Sequence, residues 1–280
     1  MRTIAIFGGD ARQAYAVRAF LRAGWVVRQF KVPQVPGVTE GEICDSLEQA
    51  LKGADVVLGP VPFRDFCPAQ ELAALLKPKQ TFIAGMLPEG LPGIDLLARD
   101  DFALLNAIST AEGAVAEAII QSGGTLHLCP ALVLGYGRCA KPLVKKLQGL
   151  QAHVTVVTRR WEAACAAIAD GCEVLDFASL QQHLPRFGYI FNTVPEVVLG
   201  EEMLREISPE VTIIDIASAP GGVDFEAAEA LGLNARLCPS LPGKYAPRST
   251  GESIAQTTRI VLEEKEGSAW GWNKPASASG

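Results

Sequence analysis

Residues that bind metals or exchange protons at neutral pH are scarce in this chain. Only three of its 280 residues are His, and its seven Cys form neither a C-x-x-C pair nor a Cys/His pattern with zinc-site spacing. This argues against a structural metal site and against a disulfide framework. Free thiols are typical of a reducing compartment, so the sequence predicts a cytoplasmic protein without a bound metal.

An excess of positive charge is also lacking. Lys and Arg number 25 against 31 Asp and Glu, which gives a formal net charge of −6, and no basic run suggests a nucleic-acid partner. The first residues enter an apolar strand directly and lack the long apolar run of a secretory signal. No apolar stretch has the length expected of a bilayer span, so we expect no membrane association.

Short apolar segments with strand composition alternate with helical patterns along the whole chain. A strand over Thr3–Phe7, a turn at 8–10 and a helix over Ala11–Ala23 begin the series. A strand is also predicted over Phe102–Leu105, and an irregular loop over 240–251. This alternation and length predict an α/β protein with two Rossmann-like, doubly wound parallel-sheet domains and a cleft between them.

The domain boundary is placed next to a helix predicted over Ser109–Ser122, because Gly123 and Gly124 end it. The first domain then covers 1–110 and serves substrate or partner binding, and the second, dinucleotide-binding domain covers 123–248. A helix within 250–266 is expected to rejoin the first domain, by analogy with two-domain dehydrogenases. Residues 267–280 are predicted to form a flexible tail.

A G-x-G-x-x-A motif carries the most specific chemistry, and it runs from Gly135 to Ala140 (Gly135, Tyr136, Gly137, Arg138, Cys139, Ala140). It lies between a predicted strand, Ala131–Leu134, and a predicted helix, Lys141–Gln148, which is the context that dinucleotide binding requires. The first Gly permits a tight turn, and the second lets the backbone approach a pyrophosphate. The helix N-terminus would offer free N–H groups to the phosphates. The alternative is a tight strand–helix turn that binds nothing.

The end of the following strand predicts which dinucleotide is bound. NAD-specific folds place Asp or Glu there, whereas this chain has Thr158, Arg159 and Arg160. Two guanidinium groups suit the 2′-phosphate of NADP, so we predict a preference for NADP over NAD. The alternative is that both Arg are solvated surface residues.

Loops at the carboxyl ends of other strands supply further candidates, because ligands of open α/β sheets bind there. Six residues are expected to contact the cofactor: Asn192, Thr193, Val194, Pro195, Ala217 and Leu241. Cations on these loops suit a small dicarboxylate substrate. The candidates for substrate binding are Arg12, Ser218, Lys244 and Arg248.

A clear acid–base pair is missing. His127, His153 and His183 lie away from the predicted cofactor edge. The loop positions of three other polar residues make them candidates for proton transfer: Asp10, Glu112 and Ser218. Hydride transfer itself requires little beyond positioning, because the cofactor supplies the chemistry.

At these loops the sequence resembles the A subunit of dipicolinate synthase from spore-forming bacteria. Six strings in the right order carry the resemblance between Ile4 and about Ser253: GGDARQ at 8–13, AEG at 111–113, LGYGR at 134–138, NTVP at 192–195, DIASAPGGVDF at 215–225 and LPGKYAPRSTG at 241–251. Ala219 stands where the family allows a basic residue, and residues 31–100 match poorly.

The resemblance implies oxidation of a dihydrodipicolinate-type precursor to dipicolinate (pyridine-2,6-dicarboxylate), with hydride transfer to NADP or NAD. It also implies a partner, the flavoprotein-like B subunit of dipicolinate synthase, and action in the mother-cell cytoplasm during sporulation. The expected assembly is a hetero-oligomer or a homodimer. Two alternatives remain open. One is another NADP-dependent dehydrogenase of shikimate or 2-hydroxyacid type, and the other is a nucleotide-binding subunit without turnover.

Overall fold

The computed structural model describes residues 1–38, 40–64 and 66–267. The chain divides into two compact units. The first comprises Met1–Ala103 together with the chain from Pro247 onward, and the second comprises Leu104–Ala246. From residue 268 on, the tail predicted for 267–280 lies outside the described residues.

Strands and helices alternate through both units. The strands are β1 Thr3–Phe7, β2 Val26–Phe30, β3 Glu42–Ile43, β4 Val56–Leu58, β5 Thr81–Ala84, β6 Ile94–Asp95, β7 Pro130–Leu134, β8 His153–Val157, β9 Glu173–Leu175, β10 Tyr189–Asn192, β11 Thr212–Asp215 and β12 Asn234–Leu237. The helices are α1 Ala11–Arg22, α2 Leu47–Leu51, α3 Ala69–Leu75, α4 Asp100–Ser122, α5 Ala140–Gly149, α6 Trp161–Ala169, α7 Leu180–His183, α8 Glu201–Leu204, α9 Phe225–Ala230, α10 Leu241–Tyr245 and α11 Pro247–Lys265.

The first unit is built on a parallel sheet of six strands in the order β3-β2-β1-β4-β5-β6. The central strand β1 is apolar and fully buried from Ile4 to Phe7, as expected where helices cover both faces of a parallel sheet. Asp10 caps α1 with its side chain, which accepts a hydrogen bond from the backbone N–H of Arg12. Ile254 and Val261 of α11 lie in the same apolar core as Ile4 and Ile6 of β1.

The second unit repeats the design with the strand order β12-β11-β10-β7-β8-β9. The order reverses between β7 and β10, and such a switch point opens a crevice at the carboxyl ends of the strands. Residues 135–139 follow β7 at this point, and residues 193–196 follow β10. The predicted α/β, Rossmann-like fold with two parallel sheets is therefore confirmed.

Two local predictions are wrong. Phe102–Leu105 lies inside helix α4, where Asp101 accepts a hydrogen bond from the backbone N–H of Phe102 and acidic residues occupy the first turn. A four-residue apolar run fits a strand and a buried helix equally well, which explains the error. The predicted loop over 240–251 instead forms α10 and the start of α11, which begins with Pro247, a residue well suited to a first helical position.

Helix α4 also corrects the expectation about apolar length. Its 23 residues are long and apolar enough, by length and composition, to cross a membrane, with a mean hydropathy of 1.3 over an 18-residue window. Of that window 44% is buried, and Ala111, Ala114 and Ala118 pack in the core of the second unit. One face of α4 therefore lies in a core, while Leu104, Ile108 and Ile120 are exposed.

Candidate functional site: the carboxyl edge of the second sheet

The glycine turn has the geometry that a dinucleotide requires. Gly135 has φ +89°, and a Cβ there would lie 2.6 Å from Thr193 Oγ1, so no other residue fits. Gly137 faces open space, with no atom within 4 Å of a Cβ placed on it. Ala140 is fully buried against the strand. The residues present therefore fit a pyrophosphate that approaches the backbone at Gly137.

Helix α5 begins directly after this turn. No side chain caps its N-terminus at Cys139, so its first N–H groups are not satisfied by a cap. Such groups and the helix dipole favour an anion. Burial raises the pKa of the Cys139 thiol, and the charge of Arg138 offsets this only in part. A thiol with a raised pKa is a poor nucleophile, in keeping with a packing role for Cys139.

Tyr136 lies inside the second unit. Its side chain is 3% exposed and packs in the core, and its hydroxyl donates a hydrogen bond to Asp170 at the end of α6. The Lys141 ammonium lies 5.8 Å from the centroid of its ring. These contacts show Tyr136 holding the glycine turn against the core.

The loops after β10 and β11 are tied together by a buried polar pair. Asn192 and Asp215 are both fully buried at the carboxyl ends of these strands, where they lie opposite each other in register. Asp215 accepts hydrogen bonds from Asn192 Nδ2 (2.9 Å) and from the backbone N–H groups of Ala217 (2.9 Å) and Gly222 (2.6 Å). Burial raises the pKa of Asp215 although these donors favour its charged form.

Gly222 allows the two loops to approach each other closely. A Cβ on it would lie 2.4 Å from Asn192 Nδ2 and 2.7 Å from the backbone oxygen of Glu196. Thr193 completes the junction, because its hydroxyl donates to the backbone oxygen of Leu134 at the end of β7. The fold therefore brings together the glycine turn and the loops at 192–196 and 215–222.

The predicted 2′-phosphate site lies at the end of β8. Arg159 Nη1 is 3.1 Å from Glu196 Oε2, and its guanidinium lies 5.0 Å from the centroid of the Phe177 ring. Arg160 is exposed at the start of α6, and its backbone N–H lies 3.5 Å from the Thr158 hydroxyl. Arg159 therefore has a carboxylate partner, Glu196, that the sequence motifs do not identify.

Lys244 also has a carboxylate partner that no sequence motif identifies. Its ammonium donates to Glu117 of α4, whose side chain is 7% exposed, while the Lys244 side chain is 58% exposed. Burial would raise the pKa of Glu117, but hydrogen bonds from Lys244 and Tyr245 outweigh it and leave the pKa lowered. The hydrogen bond to Glu117 raises the pKa of Lys244, which keeps that amine positively charged.

The predicted proton-transfer groups of this unit differ in their surroundings. Ser218 is exposed on the loop after β11. Glu112 pairs with Lys146 at 2.7 Å. Lys146 lies six residues into α5, about 9 Å along the helix from its start. Glu112 therefore contacts the body of α5 rather than the glycine turn, which does not support it as the proton acceptor.

Other predicted cofactor residues lie at the same edge with different exposure. Ala217 and Leu241 are buried, and Gly113 of α4 approaches Leu241 so closely that a Cβ would lie 2.8 Å from Leu241 Cβ. Val194 is half-buried, and Pro195 is exposed. The loop residues at 193–196 thus present their outer side to solvent while Asn192 anchors them from within.

Three predicted residues lie in the first unit. Arg12 is 5% exposed, and its guanidinium donates two hydrogen bonds to the Asp10 carboxylate, through Nε (2.8 Å) and Nη2 (2.7 Å). Burial would raise the pKa of Asp10, but the hydrogen bonds and charge of Arg12 leave it lowered, so Asp10 is a weak base. Arg248 lies in the first turn of α11 and pairs with Glu252. Asp10 therefore serves visibly as a helix cap and as the partner of Arg12.

Comparisons with known proteins show which proteins this chain is similar to. Residues 3–96 match the family model that describes the N-terminal domain of the dipicolinate synthase A subunit, and this match includes most of the stretch at 31–100 where the motifs are absent. The dipicolinate synthase A subunit of Bacillus subtilis (strain 168) is 35% identical over 172 residues. That alignment covers 61% of this chain and 58% of the relative, so it spans less than two thirds of the relative's length.

Solved structures extend the similarity. A crystal structure of the dipicolinate synthase A subunit from Bacillus halodurans has a TM-score of 0.80 and 27% identity over 93% of this chain and 97% of that one. The corresponding structure from Bacillus subtilis has a TM-score of 0.82 and 27% identity over 95% and 97%. L-alanine dehydrogenase, with a TM-score of 0.66 and 15% identity over 95% and 90%, shares the fold alone.

The similarity to the dipicolinate synthase A subunit thus covers residues 3–96 of the first unit in the family model and nearly the whole chain in two solved structures. The resemblance that the loop motifs indicate is confirmed: this chain is similar in sequence and structure to the A subunit of dipicolinate synthase.

Proposed function

We propose that this chain is the dehydrogenase subunit that forms dipicolinate from a dihydrodipicolinate-type precursor. The observation that carries the proposal is the similarity, over nearly the whole chain, to two structures of the dipicolinate synthase A subunit. The glycine turn supports it, because Gly135 and Gly137 leave the backbone open to a pyrophosphate.

The reaction balances without a further oxidant. The dihydropyridine ring loses one hydride and one proton, so dipicolinate, NADPH (or NADH) and H⁺ are the products. A bound nicotinamide cofactor would supply the hydride acceptor. Since the product ring is aromatic, the step is strongly downhill, and a weak base or water suffices to take the proton. The candidate bases have this weak character: the pKa of Asp10 in the first unit is lowered, and Glu112 in the second unit is paired with Lys146.

The residues of the second unit would bind and orient. Arg159 and Arg160 would hold the 2′-phosphate of NADP, which the predicted preference for NADP requires. Lys244 is kept charged by Glu117 and has an exposed ammonium-bearing side chain, so it suits a substrate carboxylate. Arg12, Arg248 and Ser218 remain proposed substrate contacts, and Ser218 remains a proposed proton relay.

The relatives are named as subunits, and we therefore propose that the chain acts with the flavoprotein-like B subunit of dipicolinate synthase. We propose the cytoplasm of the mother cell during sporulation as its place of action, as the resemblance implies. The assembly would be a hetero-oligomer with that subunit or a homodimer of this chain.

The test is to mix the chain, the B subunit, dihydrodipicolinate and NADP⁺ and to follow reduced nicotinamide and dipicolinate by ultraviolet absorbance. Equal amounts of the two products are expected. Dinucleotide binding without turnover would favour a nucleotide-binding subunit, and turnover only with shikimate or a 2-hydroxy acid would favour the other dehydrogenase types. An Arg12→Ala variant with an unchanged KM would remove Arg12 from the substrate site.

A further inference from the structure

The Arg159–Glu196 ion pair connects two loops that are not neighbours at the sheet edge. Arg159 follows β8 and Glu196 follows β10, whereas β7 lies between these strands. The pair therefore spans the carboxyl end of β7, where the glycine turn begins. Phe177 follows β9 on the far side, and its ring lies against the Arg159 guanidinium, 5.0 Å from the centroid. Arg159 thus contacts Glu196 on one side, across the end of β7, and Phe177 on the other.

This arrangement adds a carboxylate to the groups that would face the adenosine ribose of a bound dinucleotide. The end of β8 itself carries no carboxylate, and for that reason the sequence predicts NADP. The Glu196 carboxylate nevertheless lies 3.1 Å from Arg159 Nη1, so the loop after β10 delivers an acidic group to the same place. The structure therefore combines the group that favours a 2′-phosphate with the group that favours a 2′-hydroxyl.

We infer that Glu196 is a specificity-determining residue that opposes Arg159 in the choice between NADP and NAD. With NAD, the Glu196 carboxylate accepts the ribose 2′-hydroxyl. With NADP, it competes with the 2′-phosphate for the Arg159 guanidinium and repels that phosphate. The inference rests on the proposed function, because it assumes that the glycine turn binds a nicotinamide dinucleotide.

The size of the effect follows from the exposure of the pair. The two side chains are 62% and 69% exposed, so solvent screens their interaction, and substitution of either residue is expected to have little effect on the stability of the fold. Exposed ion pairs of this kind change affinities by about two- to fivefold. A neutral amide at position 196 no longer repels the 2′-phosphate of NADP, and it is a weaker acceptor for the 2′-hydroxyl of NAD. Both effects raise the affinity for NADP relative to the affinity for NAD.

The experiment measures the Kd of NADP⁺ and of NAD⁺ by titration calorimetry for the full chain, for Glu196→Gln and for Arg159→Gln. Glu173→Gln is the matched control, because it removes the same charge from an exposed ion pair with Arg186 at the amino end of β9. Glu196→Gln is expected to raise the ratio Kd(NAD⁺)/Kd(NADP⁺) about fivefold. Arg159→Gln is expected to lower that ratio by about tenfold, and Glu173→Gln to leave it unchanged.

Two results would overturn the inference while leaving the proposed function in place. One is a Glu196→Gln variant that changes both dissociation constants by the same factor, and the other is a variant that changes neither. If the wild-type chain binds neither dinucleotide, the proposed function fails and the inference fails with it.

Discussion

Asn192 and Asp215 face each other in register at the ends of adjacent strands, and the Asn192 amide donates a 2.9 Å hydrogen bond to Asp215 Oδ1. Asn192 also donates to the backbone oxygen of Val194 and accepts from its N–H. Asp215 accepts from the N–H groups of Ala217 and Gly222. One buried pair therefore fixes two loops beside the glycine turn, although the sequence motifs assign Asp215 no role.

The first prediction is that Asp215→Asn loosens both loops. The amide avoids burying a charge, but its NH₂ group would face a buried backbone donor, such as the N–H of Gly222, where a carboxylate oxygen now accepts. Burial raises the pKa of Asp215, so relief of the buried charge offsets part of the cost of the lost acceptor, and the free energy of unfolding should fall by about 1 kcal/mol. Chemical denaturation at neutral pH measures this, and calorimetry with NADP⁺ should show weaker binding.

Asp224→Asn is the matched control. Asp224 caps α9 through a hydrogen bond from the N–H of Ala227, and Asn caps helices about as well as Asp. Its stability should therefore stay near that of the wild type. Equal losses in Asp215→Asn and Asp224→Asn would show that the 192–215 pair has no special part in holding the loops.

The second prediction separates binding from folding at the glycine turn. Gly137→Ala adds a methyl group where no atom lies within 4 Å, so the fold should remain stable, while a pyrophosphate loses its close approach. We expect the affinity for NADP⁺ to fall by about tenfold or more, since one lost charge-assisted contact is worth about 1.5–3 kcal/mol. Calorimetry measures the affinity, and thermal unfolding confirms the fold.

Gly149→Ala is the control for this change, because Gly149 ends α5 and is also free of neighbours within 4 Å. It should leave binding unchanged. Gly135→Ala should instead destabilise the unit, since its Cβ would collide with Thr193 at a positive φ. Full NADP⁺ affinity in Gly137→Ala would contradict a pyrophosphate site at this turn.

The sequence predicts the buried elements of the fold best. Strand Thr3–Phe7 has the predicted bounds, and strand Pro130–Leu134 and helix Ala11–Arg22 differ from the predicted bounds by one residue, because each carries the apolar pattern of its element. The two-residue strands Glu42–Ile43 and Ile94–Asp95 are too short to show any periodicity, and no prediction covers them. These residues are strands because they pair with β2 and β5, and their own sequence does not show that pairing.

In the candidate site, too, local features are predictable from the sequence and contacts between distant segments are not. The glycine turn is local in sequence, so its residues and roles are readable from one motif. The partners of Lys244 and Arg159 lie 127 and 37 residues away in the chain, and no local pattern connects them. Glu117 and Glu196 therefore appear only once the fold brings distant segments together.

The third prediction concerns thiol reactivity. Burial raises the pKa of Cys139, whereas Cys165 is exposed on α6. Because the thiolate is the reactive form, iodoacetamide at neutral pH should label Cys165 well before Cys139. A time course read by peptide mass spectrometry measures the order. Faster labelling of Cys139 would mean that the helix N-terminus, rather than burial, governs this thiol.

The fourth prediction concerns the pH dependence of stability through Glu117. Its pKa in the folded state is lowered, so its contribution to the free energy of unfolding is present above the usual Glu pKa of about 4.3 and is lost as the pH falls through the folded value. Glu117→Gln should therefore lower the free energy of unfolding by about 1 kcal/mol at neutral pH, because the charge-assisted bond that it loses is partly screened by solvent at the exposed Lys244.

The difference in unfolding free energy between wild type and Glu117→Gln should shrink as the pH falls below about 4, because the wild-type carboxyl then becomes neutral as well. Urea denaturation at several pH values from neutral to acid measures this. Glu201→Gln, which breaks an exposed i,i+4 pair with Arg205, serves as control and should be near neutral at every pH. A difference in unfolding free energy that stays constant across this pH range would show that the shape of the Glu117 side chain, and not its charge, stabilises the fold. The proposed substrate role of Lys244 would then lose the support that it takes from Glu117.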